Sequence, residues 1–236
     1  MISKKIHYCW FGRNPLPSDV KRCIKSWKKY APDYEIIEWN EKNFDINCHP
    51  FVKSAYKNKA WAFVSDYARL KIIYDNGGIY FDTDVELLKS PDFLLESQCF
   101  IGMQQNGSLC TTGLGYGAVK GSSVVGAMLK KYDNIIYNEK IKNKIACPWL
   151  NNEVIQRLGY KTSDEIVYLD EVTVYPARYF DPYPSGTGSN LLCDDTVSIH
   201  HYSASWTSGK QRFKRKLARI IGEDKILFVK KMIKKN

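Results

Sequence analysis

No run in the 236-residue sequence comes near the ~20 consecutive apolar residues that a membrane span requires. An apolar leader core is missing too. Met1 to Lys5 carries charge, and His7 and Arg13 interrupt the only stretch behind it, so no cleaved signal peptide is expected. Paired cysteines are absent. Cys9, Cys23, Cys48, Cys99, Cys110, Cys147 and Cys193 stand singly, which excludes a zinc ribbon or a thioredoxin motif. Seven scattered thiols suit reduced cysteines in a cytosolic protein, most of them packed as small apolar residues. Glycine and proline are few, 15 and 9, too few for a low-complexity or collagen-like chain. No internal repeat is visible. With 44% hydrophobic and 25% charged residues, the chain can build one sizeable core.

Charge is unevenly placed. The net charge is +10, and from residue 209 onward eleven Lys or Arg face only Glu223 and Asp224, so +9 sits in the last 28 residues. The remaining 208 residues are nearly neutral, which argues against a nucleic-acid reader, whose binding face carries spread basic charge. Two units are expected: a body over 1–208 and a basic tail over 209–236. The tail aligns Phe213, Leu217, Ile220 and Ile221 on one helical stripe among Lys and Arg. That pattern fits either a terminal helix packed on the body or, preferred here, a helix lying on an anionic membrane.

Along the body, 5–10 reads as a strand and Arg13 to Pro17 as a turn. Ser18 opens a helix to about Tyr30, with Val20, Ile24 and Trp27 at helical spacing, and 34–39 reads as a second strand. Strand, helix and strand in that order predict a βαβ unit and an α/β fold. The stretch 60–76 is apolar on almost every side and reads as a buried helix closed by Gly77 and Gly78. A short strand, Ile79 to Phe81, runs into Asp82-Thr83-Asp84. Further on, 100–121 reads as strand and loop, and 124–137 and 151–158 as helices. The segments 166–176 and 196–202 read as strands, and Pro182 to Gly188 as a long mobile loop.

Four groups carry chemistry. Asp82 and Asp84, two apart after a strand, offer hard oxygen ligands to a divalent cation, though a solvated turn would look the same. The carboxyl end of a strand in an α/β sheet is where ligands bind. Asp66 and Arg69 share a helix face. Buried charge must be compensated, so they form either an internal ion pair or a polar pocket for hydroxyls and phosphate. His200 and His201 at a strand end point to opposite faces, and one could complete a cation site with the carboxylates. An imidazole shifts the preference from Mg²⁺ toward Mn²⁺. Trp10 ends the first strand, where a ring is either core or a platform for a nucleotide base.

The segments Ile6 to Gly12, Ser65 to Arg69, Gly77 to Asp84 and His200 to Trp206, in that order, resemble glycosyltransferase family 32. That group includes bacterial capsular polysaccharide transferases and yeast mannosyltransferases, and is similar in these motifs to the glucosyltransferase domains of large clostridial toxins. The resemblance implies a GT-A fold and sugar transfer from a nucleotide-sugar with retention of anomeric configuration; the expected donor is a UDP-sugar ahead of GDP-mannose. The expected acceptor is a growing glycan on a lipid carrier, as in capsular or other surface polysaccharide synthesis, and with the basic tail on the membrane the expected location is cytoplasmic and peripheral to that membrane. The resemblance also implies roles for residues: Trp10 and the Cys9 backbone at the base, Tyr80 at the nucleoside, Asp66 and Arg69 at the donor sugar and phosphate. Asp82 would meet ribose or sugar hydroxyls, and Asp84 and one of His200 and His201 would hold the cation. Ser205 and Trp206 would close over the leaving group. Two other readings remain: a haloacid-dehalogenase-type phosphatase, although Glu86 stands where Thr or Val is usual, and a basic nucleic-acid-binding module. Gly113, Gly115 and Gly117 have the wrong spacing for a dinucleotide loop.

Overall fold

The computed structural model describes residues 1–105, 108–183 and 189–203. The predicted βαβ unit is present. Strand β1 (Lys5–Cys9) leads through helix α1 (Ser18–Tyr30) to β2 (Glu35–Trp39), which lies parallel to β1 from Lys5 opposite Glu35 to Cys9 opposite Trp39. Val20, Cys23 and Trp27 of α1 are buried, as the spacing requires. Helix α2 (Pro50–Lys57) follows; it is absent from the sequence reading. Pro50 at its first turn suits a position whose N–H has no helical partner, and the His49 Nδ1 accepts the Phe51 N–H at 3.1 Å.

Helix α3 (Trp61–Asn76) buries Val64, Asp66, Tyr67, Ala68, Arg69, Leu70, Ile72 and Ile73. It stops at Gly77 and Gly78, with φ of 66° and 107°, a left-handed turn that residues with a Cβ rarely adopt. The chain then enters β3 (Gly78–Tyr80), parallel to β1 on the side away from β2. Next come β4 (Val85–Leu87), β5 (Cys99–Met103), β6 (Cys110–Ala118), α4 (Ser123–Lys130), α5 (Cys147–Arg157), β7 (Val167–Tyr168), β8 (Thr173–Tyr175), α6 (Ala177–Phe180) and β9 (Ser198–His200). The main sheet has seven strands in the order β2-β1-β3-β6-β5-β8-β7. It is mixed: β6 runs antiparallel to β3 and β5, whereas β5 and β8 are parallel. Strands β4 and β9 form a separate antiparallel pair.

Alternation along the strands divides the core. Cys9, Tyr80, Ile101 and Tyr116 face α2 to α5, while Ile6, Tyr8, Ile79, Phe81 and Phe100 face Trp27 of α1, Val85, Leu87 and Phe180. His7 is fully buried within β1. The Trp39 indole N–H donates to its Nδ1 at 3.0 Å, so its Nε2–H is the proton that donates to the Gly77 carbonyl at 2.9 Å.

Several boundaries differ from expectation. The helix read over 124–137 ends at Lys130, because the N–H groups of Lys131, Tyr132 and Asp133 bond three residues back and tighten the chain into turns. The helix read from Asn151 begins at Cys147, since Pro148 is tolerated in a first turn. The segment 166–176 is a hairpin, and 196–202 contributes only Ser198–His200. Gly113, Gly115 and Gly117 lie within the buried strand β6, not in a phosphate loop. The tail over 209–236 and loop residues 184–188 lie outside the described residues.

Candidate active site

The carboxyl ends of β1 and β3 open on one cavity of about 720 Å³. Cys9, Trp10, Asp66, Arg69, Asp82, Asp84 and His200 all line it. Residues far apart in sequence meet there because β1 and β3 are neighbours, α3 packs on them, and the β4–β9 pair sets Val85 opposite His200.

Arg69 organises one half. Its Nη2 donates to Asp66 Oδ1 at 2.8 Å and lies 3.3 Å from Asp82 Oδ1, and its Nε donates to the Ser65 carbonyl at 3.1 Å. Its guanidinium carbon sits 5.1 Å from the centre of the Tyr80 ring, whose hydroxyl donates to Asp82 Oδ1 at 3.1 Å. Asp66 and Arg69 form an internal ion pair, and both line the cavity. Burial pushes the Asp66 carboxyl up, against the pull of Arg69, to about 6. Burial also raises Asp82, again opposed by Arg69. Arg69 stays charged, because the surrounding carboxylates outweigh its own desolvation.

Asp84 organises the other half. Its Oδ1 lies 3.1 Å from His200 Nε2, and its Oδ2 accepts the Ser203 N–H at 2.8 Å and the Ser203 hydroxyl at 3.1 Å. Burial alone would raise this carboxyl, but His200 and Ser203 prevail and hold it well below the usual range. Burial likewise opposes the charged form of His200, and Asp84 overrides it, so the imidazole titrates above its ordinary value. One ligand atom each from Asp82, Asp84 and His200 falls within 4.8 Å of the others. The buried His200 Nδ1 finds no hydrogen-bond partner among the described residues. Two carboxylates with an imidazole fit Mg²⁺ or Mn²⁺, so the donor set suits a divalent cation.

The structure does not bring His201 into this group. Side chains alternate at the strand end, and the His201 Nε2 instead meets Glu86 Oε2 at 2.7 Å. Nor does Tyr80 line the cavity: it is buried behind Asp82, with its ring among core residues. Its hydroxyl supports Asp82 from behind. Trp10 is half-buried: it lines the cavity and also packs against the core, and its indole N–H donates to the Asn14 carbonyl at 2.6 Å, which fixes the ring. Ser205 and Trp206 lie outside the described residues.

Other cavity residues escaped the sequence reading. Thr111 and Gly113 arrive on β6, Gln104 follows β5, and Cys147 and Pro148 open α5. Gly113 alone carried a signal, as a glycine inside a strand, which marks a close approach. A Cβ there would lie 2.5 Å from Asp82 Oδ2 and 3.1 Å from Arg69 Nη1. Ser203 sits in a singled-out segment, but nothing in its position announced the bond to Asp84.

Residues 17–101 match the family described as glycosyltransferase sugar-binding region containing DXD motif. Over 111 residues the chain is 28% identical to Subversion of eukaryotic traffic protein A of Legionella pneumophila, covering 36% of this chain and 17% of that protein. Over 104 residues it is 30% identical to inositol phosphoceramide mannosyltransferase 3 of Schizosaccharomyces pombe, covering 42% of this chain and 29% of that protein. The chain thus spans less than a third of the length of either relative. Among solved structures, the PaToxG glycosyltransferase superposes with a TM-score of 0.51 at 19% identity, covering 66% of this chain and 68% of that one, a likeness of fold. The chain thus shares the GT-A fold with a solved glycosyltransferase, and its residues 17–101 match a sugar-binding region that contains a DXD motif.

Proposed function

We propose that the chain moves a sugar from a nucleotide-sugar, UDP-linked in preference to GDP-linked, to a glycan hydroxyl, with retention at the anomeric carbon. A divalent cation held by Asp82, Asp84 and His200, Mn²⁺ in preference to Mg²⁺, is part of this reading. The observation that carries it is the charge of the cavity wall. Asp66, Asp82 and Asp84 face one guanidinium, Arg69, and one imidazole, His200. A diphosphate entering such a wall meets net negative charge. Each uncompensated carboxylate–phosphate pair at about 5 Å costs about 3 kcal/mol at an effective dielectric of 20. Arg69 cannot remove this cost alone, because Asp66 and Asp82 already engage it. A bound cation supplies the missing charge and stabilises the diphosphate as the bond to the sugar breaks.

The protein groups position the donor. Trp10, fixed through Asn14, offers a flat apolar face to a base. Asp66 presents its free carboxylate oxygen to sugar hydroxyls while Arg69 holds the other. Tyr80 and Arg69 together hold Asp82 in one orientation. Such preorganised charge needs little rearrangement as the leaving group develops.

The acceptor in this reading is a glycan carried on a lipid, as in capsular or other surface polysaccharide synthesis, and the enzyme works at the cytoplasmic face of a membrane. The basic tail over 209–236 would help to hold it there. No helix among the described residues is long and apolar enough to cross a membrane.

A thermal-shift screen of nucleotide-sugars with and without Mn²⁺ tests the donor and the cation together. A true donor at a hundred times its Kd stabilises the fold by about 2.7 kcal/mol. Stabilisation by a UDP-sugar only when Mn²⁺ is present, with release of UDP, is the expected result. Failure of every nucleotide-sugar, or stabilisation indifferent to divalent cations, overturns the reading.

A further inference from the structure

Helix α1 has a face that the catalytic cavity does not use. Val20, Cys23 and Trp27 pack inward. The Trp27 indole N–H donates to the Val85 carbonyl at 2.8 Å, and the Leu87 N–H donates to the Ser26 hydroxyl at 2.9 Å, which seats the helix on β4. The opposite side carries Lys21, Arg22, Lys25, Lys28 and Lys29, all exposed. Their spacing of three and four places them on one stripe, along a helix about 20 Å long. None of the five forms an ion pair with a described residue, and the one acid of the helix, Asp19, lies in its first turn. Like charges at this spacing repel. Only Lys28 and Lys29, in the last turn, gain from the helix dipole. Apart from Asp19, three residues before Arg22, and the Tyr30 ring and hydroxyl beside Lys29 Nζ, the stripe is an array of solvent-facing cations with no acidic partner among the described residues.

Its position is informative. Helix α1 starts directly after Asn14, Pro15 and Pro17, which line the cavity beside Trp10, so the stripe begins at the cavity rim. β4, on which α1 is seated, pairs with β9, and the described chain reaches Ser203 just beyond β9, ahead of the basic tail.

We propose that the outer face of α1 docks on an anionic lipid bilayer. A straight row of cations on a rigid helix matches a flat, uniformly anionic surface. A nucleic acid is the poorer match, because the body is close to neutral overall and no exposed aromatic residue interrupts the row. Docking in this way sets the cavity rim at headgroup level, within reach of a hydroxyl carried on a membrane lipid. That last consequence rests on the proposed transferase reading, but the docking does not.

The test uses the full chain and phosphatidylglycerol-containing vesicles, with pure phosphatidylcholine vesicles for comparison. The triple variant Lys21→Gln, Lys25→Gln, Lys28→Gln is set against Lys53→Gln, Lys57→Gln, Lys130→Gln. The second set removes the same charge from α2 and α4, which cover the opposite face of the sheet. Each basic group at an anionic surface contributes up to about a factor of five in affinity. The α1 variant should lose roughly ten- to a hundredfold in vesicle affinity, the other variant less than about threefold, and added salt should weaken wild-type binding. Melting temperature and nucleotide-sugar hydrolysis in solution should match wild type in both. Equal losses in the two variants, unaltered binding by the α1 variant, or no wild-type binding at low salt overturns the proposal. So does tighter α1-dependent binding to RNA than to vesicles. Because hydrolysis is read separately, a chain that splits no nucleotide-sugar but loses vesicle affinity on α1 substitution keeps the docking surface and loses the transferase reading.

Discussion

Replacing Gly113 by alanine should cripple the enzyme while leaving it folded. The backbone permits the change: Gly113 lies in β6 where the register with β5 shifts, but it has no left-handed φ. The added Cβ, however, would lie 2.5 Å from Asp82 Oδ2 and 3.1 Å from Arg69 Nη1. An ordinary contact needs about 3.4 Å, so the carboxylate must retreat by nearly 1 Å. It cannot do so freely, because Arg69 and Tyr80 hold it through contacts of 3.3 and 3.1 Å. Overpacking costs about 1–3 kcal/mol, and losing the flexibility of glycine in the unfolded chain returns about 0.4–1 kcal/mol. The net loss of stability is then about 1 kcal/mol, readable as a small fall in urea midpoint. Activity should fall much further, about a hundredfold, since a 1 Å misplacement at a reacting centre has that effect. Nucleotide-sugar hydrolysis with Mn²⁺ and urea unfolding, measured on the same preparation, separate the two. An alanine variant with wild-type turnover would refute the argument that Asp82 needs the space Gly113 leaves. A large stability loss with proportionate inactivation would show that Gly113 serves packing alone.

Asp84→Asn should reduce cation-dependent turnover at least about a hundredfold, because even outer partners of a metal ligand are worth 10–100-fold, in a protein that still folds but melts lower for want of the His200–Asp84 pair; undiminished activity removes Asp84 from the cation site. His200→Ala should raise the Mn²⁺ concentration needed for half-maximal activity, and His201→Ala, which severs only the contact with Glu86, should not; a Mn²⁺ titration of both variants decides, and the reverse order rejects the assignment. Trp10→Ala should weaken nucleotide binding by about 1–3 kcal/mol by calorimetry; normal affinity with reduced stability would make Trp10 a packing residue. His7 is held neutral by burial, with its pKa lowered to about 4. Its contribution is complete above the unfolded value near 6.5 and drains away as pH falls toward 4, about 3 kcal/mol in all. Urea unfolding at pH 7 and 4.5 should show this loss in wild type and a smaller one in His7→Gln, and identical slopes would contradict it.

Much of the architecture was legible because local pattern decides it. Val20, Ile24 and Trp27 could only suit a helix covering a sheet, and Gly77-Gly78 could only end one. The misses fall where the deciding contact is remote. Helix α2 hides behind Pro50, which reads as a breaker unless it is known to open a helix. The helix expected to reach Tyr137 tightens into turns after Lys130, where the fully buried ring of Tyr132 packs edge-on against Phe51 and Tyr67, remote contacts that no pattern within that segment encodes. Sheet order is remote by nature: β6 arrives some thirty residues after β3 and still becomes its neighbour.

The site divides along the same line. Asp66, Arg69, Asp82 and Asp84 stood out because charge beside or within apolar segments must be compensated or used. Here it is both, since Arg69 compensates two carboxylates that also face the cavity. Sequence alternation could say that His200 and His201 face opposite ways, but not which faces inward. That choice is made by the register of β4 with β9, which pairs Val85 with His200 and so sets the His200 ring against Asp84. The same register turns His201 toward Glu86 and places Ser203 where its N–H and hydroxyl both reach Asp84. A one-residue slip would exchange the two histidines and strand Asp84 without its partners. The pairing of two three-residue strands, far weaker as a sequence signal than the DTD triplet, thus decides whether the triplet has a third ligand at all.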